Sequence, residues 1–208
     1  LQDSPLSKQL QEAWEETLHE AVDYVQESDI KSAEKLLKKF QEIPSRTHDI
    51  NEFQGVITHF ERFKTAVRHE NYALAYSMAE HVPMLKMTEV YKDMEDIWDN
   101  VFFKAQTYLI TEQTHKLFKI LEPFSRVTAK LCFIQVLLHQ PEKFLEFIHH
   151  INAQSYDKIF SIAKQYPCLK EIQSYKKVLE SSEDLFKKFR EHIFSRDYDL
   201  AELEHEAL

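Results

Sequence analysis

Phenylalanine stands at positions 60, 102, 144 and 186, one every 42 residues. Three residues further on lie Phe63, Ala105, Phe147 and Phe189, and seven further on Val67, Leu109, Ile151 and Ile193. Four phenylalanines share one column by accident with a chance of roughly one in a thousand, even after every column is tried. The doubled period is visible too: Asn71–Ala105 and Ser155–Phe189 align without a gap and share ten identities in 35 positions. Offsets of 0, 3 and 7 trace one face of a helix, so the repeating unit carries a helix whose apolar stripe is led by phenylalanine. This register predicts all four phenylalanines as largely buried core.

A second helix precedes it in each unit. Its first column is Ile30, Tyr72, Thr114, Tyr156 and Tyr198; the next is Ala33, Ala75, Leu117, Ile159 and Ala201; the third is Leu37, Ala79, Leu121 and Ala163. Small residues on this face allow a neighbouring helix to approach closely. Prolines at 44, 83, 123 and 167 follow and stop it, which limits it to about three turns. The longer, phenylalanine-bearing helix of the second unit is predicted from Thr88 to about Ile110, roughly 30 Å at 1.5 Å per residue. In the third unit Pro141 falls inside that helix and predicts a kink or split near His139–Pro141, with Pro141 opening a new helix. Residues 5–27 read as an extra N-terminal helix striped by Leu10, Trp14, Leu18, Ala21 and Val25, with Ser4 as cap and Pro5 in its first turn.

Composition closes off the alternatives. Among 208 residues there is one glycine, Gly55. Turns between strands need residues that tolerate positive φ, so the chain is predicted all-α. A phosphate-cradling loop cannot be built from a single glycine, which excludes dinucleotide and P-loop functions. The expected organisation is an α-solenoid of stacked helix pairs: an acidic capping helix over 1–29, about four units over 30–196 (30–71, 72–113, 114–155 and 156–197), and 197–208 as the start of a fifth unit or a C-terminal cap. The chain begins without methionine and its last unit lacks a long helix, so it is expected to be part of a longer array.

The joint between a long helix and the next short one reads FERFKTAVRHENYALAYSMA at 60–79, with a polar turn leading into Asn-Tyr-x-x-Ala. SRDYDLA at 195–201 and SDIKSAEKLL at 28–37 are copies of it. This resembles the inner turn of tetratricopeptide repeats, over most of 28–201. The chain departs from that family in its period, 42 rather than 34, and in Phe63, Phe147 or Phe189 where a small residue belongs; the period also suits HEAT-type pairs. What the resemblance to TPR-like helical repeats implies is a right-handed superhelix that serves as a protein-binding scaffold.

No catalytic, cofactor or metal site is expected. No HExxH, CxxC or convergent histidine pair occurs among eleven histidines, and His149 and His150 diverge by about 100° on a helix. Cys132 reads as core and Cys168 as a turn residue, both ordinary thiols, which favours a reducing, cytoplasmic setting. Residues 1–29 hold eight acids and one base, and the chain's net charge is −9. Such a balance argues against nucleic acid, and Lys35–Lys39 and Lys187–Arg190 read as solvated helix faces. The longest apolar run, Leu131–Leu138, is far too short to span a bilayer.

One stripe beside the core column changes character along the array. It is Glu61, Lys64 and Arg68 in the first unit and Lys187, Arg190 and Phe194 in the last, but Phe103, Gln106 and Ile110, then Leu145, Ile148 and Asn152, in the middle. Such a stripe is either tighter packing between central units or an apolar patch with charged surroundings. The second reading makes Phe103, Gln106, Ile110, Leu145 and Ile148 candidate contacts for a peptide or helix of another protein. The expected function is therefore a non-enzymatic scaffold or adaptor. The alternatives are a structural spacer or oligomerisation segment, self-associating through an open C-terminal end, and a ligand-sensing helical domain.

Overall fold

The computed structural model describes the backbone of residues 5–195. Every regular element among them is helical, with no strand. The predicted fifth unit over 197–208 and the Ser4 cap lie outside the described residues. The helices are α1 (Pro5–Gln26), α2 (Ile30–Leu37), α3 (Thr47–Arg68), α4 (Tyr72–His81), α5 (Glu89–Ile110), α6 (Thr114–Leu121), α7 (Leu131–His139), α8 (Pro141–Asn152), α9 (Tyr156–Gln165) and α10 (Gln173–Ser195).

The period reappears in these boundaries. Short helices begin at 30, 72, 114 and 156, and long ones at 5, 47, 89, 131 and 173. The N-terminal helix is therefore not an addition to the series. It starts one period before α3, and it places Leu18, Ala21 and Val25 in the columns of Phe60, Phe63 and Val67. Pro141 splits one long helix as predicted: α7 ends at His139, Gln140 is non-helical (φ −133°, ψ 44°), and Pro141 opens α8.

Each long helix passes to the next short one through the same two residues. Among the described residues, Ser28, Glu70, Glu112 and Gln154, 42 apart, are the non-glycine residues with positive φ, at 66°, 55°, 56° and 53°. Around Glu70, its N–H donates to Val67 O (3.0 Å) and the Asn71 N–H to Ala66 O (2.9 Å). Glu112 and Gln113 donate likewise to Leu109 and Tyr108, and Gln154 and Ser155 to Ile151 and His150. This is the Schellman closure of a helix C-terminus, which glycine normally makes. At the first two joints the residue after it also caps the new helix with its side chain: Asn71 Oδ1 accepts from the Leu74 N–H, and Asp29 accepts from both the Ser32 N–H and the Ser32 hydroxyl, whereas Ser155 makes no such bond.

The chain divides into two units, Leu1–Lys104 with Glu122–Ala129, and Ala105–Leu121 with Lys130–Leu208. In the first, α1 packs on α2 and α3, and α3 packs on α4 and on the 3₁₀ turn Pro83–Met87. Its core holds Trp14, Phe53, Val56, Phe60, Phe63, Ala75, Leu85, Met94 and Trp98. The indole N–H of Trp14 donates to Asp49 of α3 at 3.0 Å, under the Arg46 guanidinium, 5.5 Å from the ring. In the second unit α8 packs on α7, α9 and α10, and α7, α9 and α10 each meet the 3₁₀ turn Pro167–Glu171. Leu137, Phe144, Phe147, Ile159, Ala163 and Leu169 fill that interior.

The doubled period has its own structural content. Turns of the Pro83–Met87 kind recur only at Pro167–Glu171, and the paired 3₁₀ turns at Lys38–Phe40 and Pro44–Arg46 recur at Glu122–Phe124 and Thr128–Lys130. Within the first unit, Trp14 meets Phe40 with ring centroids 5.1 Å apart at 60°, and Trp98 meets Phe124 at the same distance and angle. Residues 14 and 98, and 40 and 124, are 84 apart.

The phenylalanine column is core in part. Phe60 and Phe144 are buried and Phe102 is half-buried, but Phe186 is 53% exposed. Phe186 lies on α10, whose other column residue with described burial, Phe189, is half-buried. The expectation of four buried phenylalanines is corrected at that position.

Two measurements test the turns. A left-handed residue other than glycine costs about 1–2 kcal/mol, partly offset by the entropy glycine loses on folding. Glu112→Gly is therefore expected to stabilise the chain by up to about 1 kcal/mol in urea unfolding, while Asn71→Ala, which removes a cap, costs about 1 kcal/mol. At Asp29 the hydrogen bonds from Ser32 hold the carboxyl below its ordinary value. A depressed carboxyl stabilises the fold above its unfolded pKa of about 3.9 and loses that contribution as pH falls through the folded value. In thermal melts, the advantage of the wild type over Asp29→Ala should hold at neutral pH and narrow below about pH 4.

Candidate interaction surface

On α5 and α8 the candidate stripe lies one residue past the buried column, about 100° round the helix. Phe103 and Ile110 follow Phe102 and Leu109 and stand out from α5, 70% and 61% exposed; Gln106, between them, is half-buried. On α8, Leu145 follows the buried Phe144 and is exposed, whereas Ile148 follows Phe147 and is half-buried. Phe103 belongs to the first unit and the other four to the second. Within the second unit the structure places Gln106 and Ile110 on one stripe of α5, and Leu145 and Ile148 on one stripe of α8; Phe103 stands exposed in the first. Tight packing, the competing explanation of the stripe, does not describe Phe103 or Ile110: apolar groups in a packed core are closed off from water on all sides.

Phe118, on α6, is also exposed, in the second unit with Ile110. The sequence reading missed it because it sits one residue past Leu117, off the repeated columns. The offset that singles out Phe103 on the long helix would have found it on the short one. Nearby, the Lys116 ammonium lies 5.8 Å from the Tyr108 ring, so the α5–α6 joint combines apolar and cationic groups.

The cysteines depart from the reading as free thiols. Cys132, at the start of α7, and Cys168, in the turn Pro167–Glu171, form a disulfide with Cα atoms 6.0 Å apart. Spacing could not show this, because the two lie 36 residues apart in different helical elements. In the chain-entropy account, closing a loop of that length stabilises the fold by about 4 kcal/mol. Disulfides persist in oxidising compartments, so the thiol argument for a reducing, cytoplasmic setting no longer stands.

One cluster of shifted titratable groups joins α4 and α5. Tyr76 of α4 and Tyr91 of α5 meet edge to face, centroids 6.2 Å apart. Burial, then the neighbouring Glu95 carboxylate, pushes the Tyr91 phenol up to about 12 and raises that of Tyr76 as well. Both keep their protons at neutral pH. On α8, Lys143 pairs with Glu146 at 2.6 Å, and that bond holds the Glu146 carboxyl below its ordinary value. His149 and His150 lie 5.5 Å apart at 64°. Among the described residues no group of three or more His, Cys, Asp or Glu is arranged to hold a metal ion, and no helix is long and apolar enough to cross a membrane.

No protein-family model, curated protein or solved structure matches this chain.

Removing an exposed apolar side chain leaves the core intact. Phe103→Glu and Ile110→Glu are expected to change unfolding free energy by no more than about 0.5 kcal/mol, whereas Phe60→Ala costs about 3–5 kcal/mol. Losses at Phe103 as large as at Phe60 in denaturant titrations would show that the stripe is core.

Proposed function

We propose that the chain is a non-enzymatic scaffold domain of the TPR-like α-solenoid kind, which binds a peptide or helix of another protein on the surface of its repeats. The observation that supports this most directly is the exposure of Phe103 in the first unit and of Ile110 and Leu145 in the second, each one residue past the apolar column of its helix. Aromatic and aliphatic side chains held out by a rigid helix lose little entropy on binding and act as anchors for an amphipathic partner. The period of 42 residues in the helix starts supports the solenoid reading, since a two-helix unit buries its apolar face only by stacking on a neighbour. The acidic balance favours protein over nucleic acid as partner.

A second reading, a spacer or oligomerisation segment, draws on a different observation: Phe186 is exposed on α10 at a position that is buried in α3 and α8. It belongs to a surface that end-to-end association would cover.

Affinity capture with the intact chain, run beside Phe103→Glu and Leu145→Glu, separates the two. A partner recovered by the wild type and lost with a variant that melts normally supports the scaffold. Partners unaffected by both changes, together with a sedimentation mass that rises with concentration and falls in Phe186→Glu, would replace it with the spacer.

A further inference from the structure

The disulfide spans a joint that the first unit also makes, without a covalent bond. There α3 packs against the turn Pro83–Met87, as α7 packs against Pro167–Glu171 one doubled period later. The positions of Cys132 and Cys168 correspond to His48 and Met84.

What differs is the support for the start of the long helix. α3 runs unbroken from Thr47 to Arg68, so its first turns are carried by the rest of the helix. α7 stops at His139, Gln140 leaves helical geometry, and Pro141 has no N–H to continue the ladder. Nine residues are fewer than the ~12–15 at which an isolated helix begins to hold in water. Within its unit α7 is secured mainly by packing on α8, by packing on the turn, and by the disulfide. Phe133, Ile134, Val136 and Leu137 make its buried face. Both cysteines are half-buried, so the bond is within reach of a small reductant.

We propose that the Cys132–Cys168 bond is a redox latch on α7. Reduction by a dithiol frees α7 to swing out about Gln140–Pro141 and expose its apolar face, while α8, α9 and α10 stay folded. One thiolate of the dithiol attacks a cysteine sulfur, forming a mixed disulfide and expelling the other cysteine as thiolate. Its second thiolate then displaces the first cysteine. The dithiol leaves as its own disulfide, and two electrons and two protons have passed to the cysteine pair.

The test is hydrogen exchange on the intact chain before and after native reduction with dithiothreitol, with thiols counted in each state. Reduction should yield two thiols and speed exchange of the α7 amides from Gln135 to His139 at least about tenfold, while α8 and α9 change less than about twofold. A bond that resists native dithiothreitol, an α7 that exchanges unchanged, or equal loss of protection across α7, α8 and α9 would each overturn the latch. Pro141→Ala, which restores the N–H missing from the helical ladder, should shrink the α7 response below about threefold. A wild-type-sized response in that variant also counts against it.

Discussion

The architecture depends on one backbone event repeated every 42 residues: a single residue turns left-handed, and another helix begins two residues on. Because the handover takes only two residues, the face a long helix presents at its end fixes the face the short helix presents at its start. The buried columns on either side then follow together. Ala66 precedes the turn at Glu70, and Tyr72 and Ala75 follow it, all three buried. None of the four turns uses glycine, so each carries conformational strain that the packing around it must overcome. Side chains at these turns reach solvent, where Glu70, Glu112 and Gln154 are exposed. The polar character of the turns and their left-handed geometry are thus set at the same positions.

On that frame the two units meet one steric problem in different ways. In the first, α3 passes the end of α4 at Gly55, and a Cβ there would lie 3.2 Å from Val82 Cγ1. Glycine in a helix interior costs about 1 kcal/mol against alanine, and here it allows the close passage. One doubled period later the positions of Gly55 and Val82 are held by His139 and Tyr166. The tyrosine is larger, no glycine faces it, and the long helix ends at His139. The Tyr166 hydroxyl lies 3.3 Å from Gln140 Oε1, the side chain of the residue at the break. The chain's only glycine and its one interrupted long helix among the described residues are alternative answers to the same crowding.

The all-α class, the 42-residue spacing of the helix starts and the break at Pro141 were legible in the sequence, because each rests on local chemistry: glycine content, helical offsets and proline geometry; Pro44, by contrast, does not stop α2, which already ends at Leu37. The place of α1 in the series was missed. Its column residues are Leu18 and Ala21 where later copies have phenylalanine, so it fell outside a register defined by phenylalanine. The alternation of short-helix endings over 84 residues was present as the gapless alignment but had no structural meaning until the two kinds of 3₁₀ turn were seen. The disulfide and the exposure of Phe186 were beyond reach for another reason. Pairing depends on which elements meet, and burial on what covers a helix face; neither is a property of the helix that carries the residue. At the candidate surface the stripe itself was legible, but whether it faced solvent or a neighbour was not.

Comparing the same position between copies separates what the fold requires from what it leaves free. The column of Ala33, Ala75, Leu117 and Ile159 is buried throughout, and so is that of Leu37, Ala79, Leu121 and Ala163. At these places the side chain varies only in size, because each must fill a closed space. The position after the phenylalanine column reads Glu61, Phe103, Leu145 and Lys187, and all four are exposed. Packing imposes nothing there, so an acid, an aromatic, an aliphatic and a base are equally compatible with the helix. Phe103 and Leu145 are therefore not consequences of the repeat. Large exposed apolar side chains reduce solubility and contribute nothing to the core, and their placement in the central copies calls for a reason outside the fold. The surface is where the copies differ in chemistry, and there Phe103 and Leu145 stand apart from the charged Glu61 and Lys187.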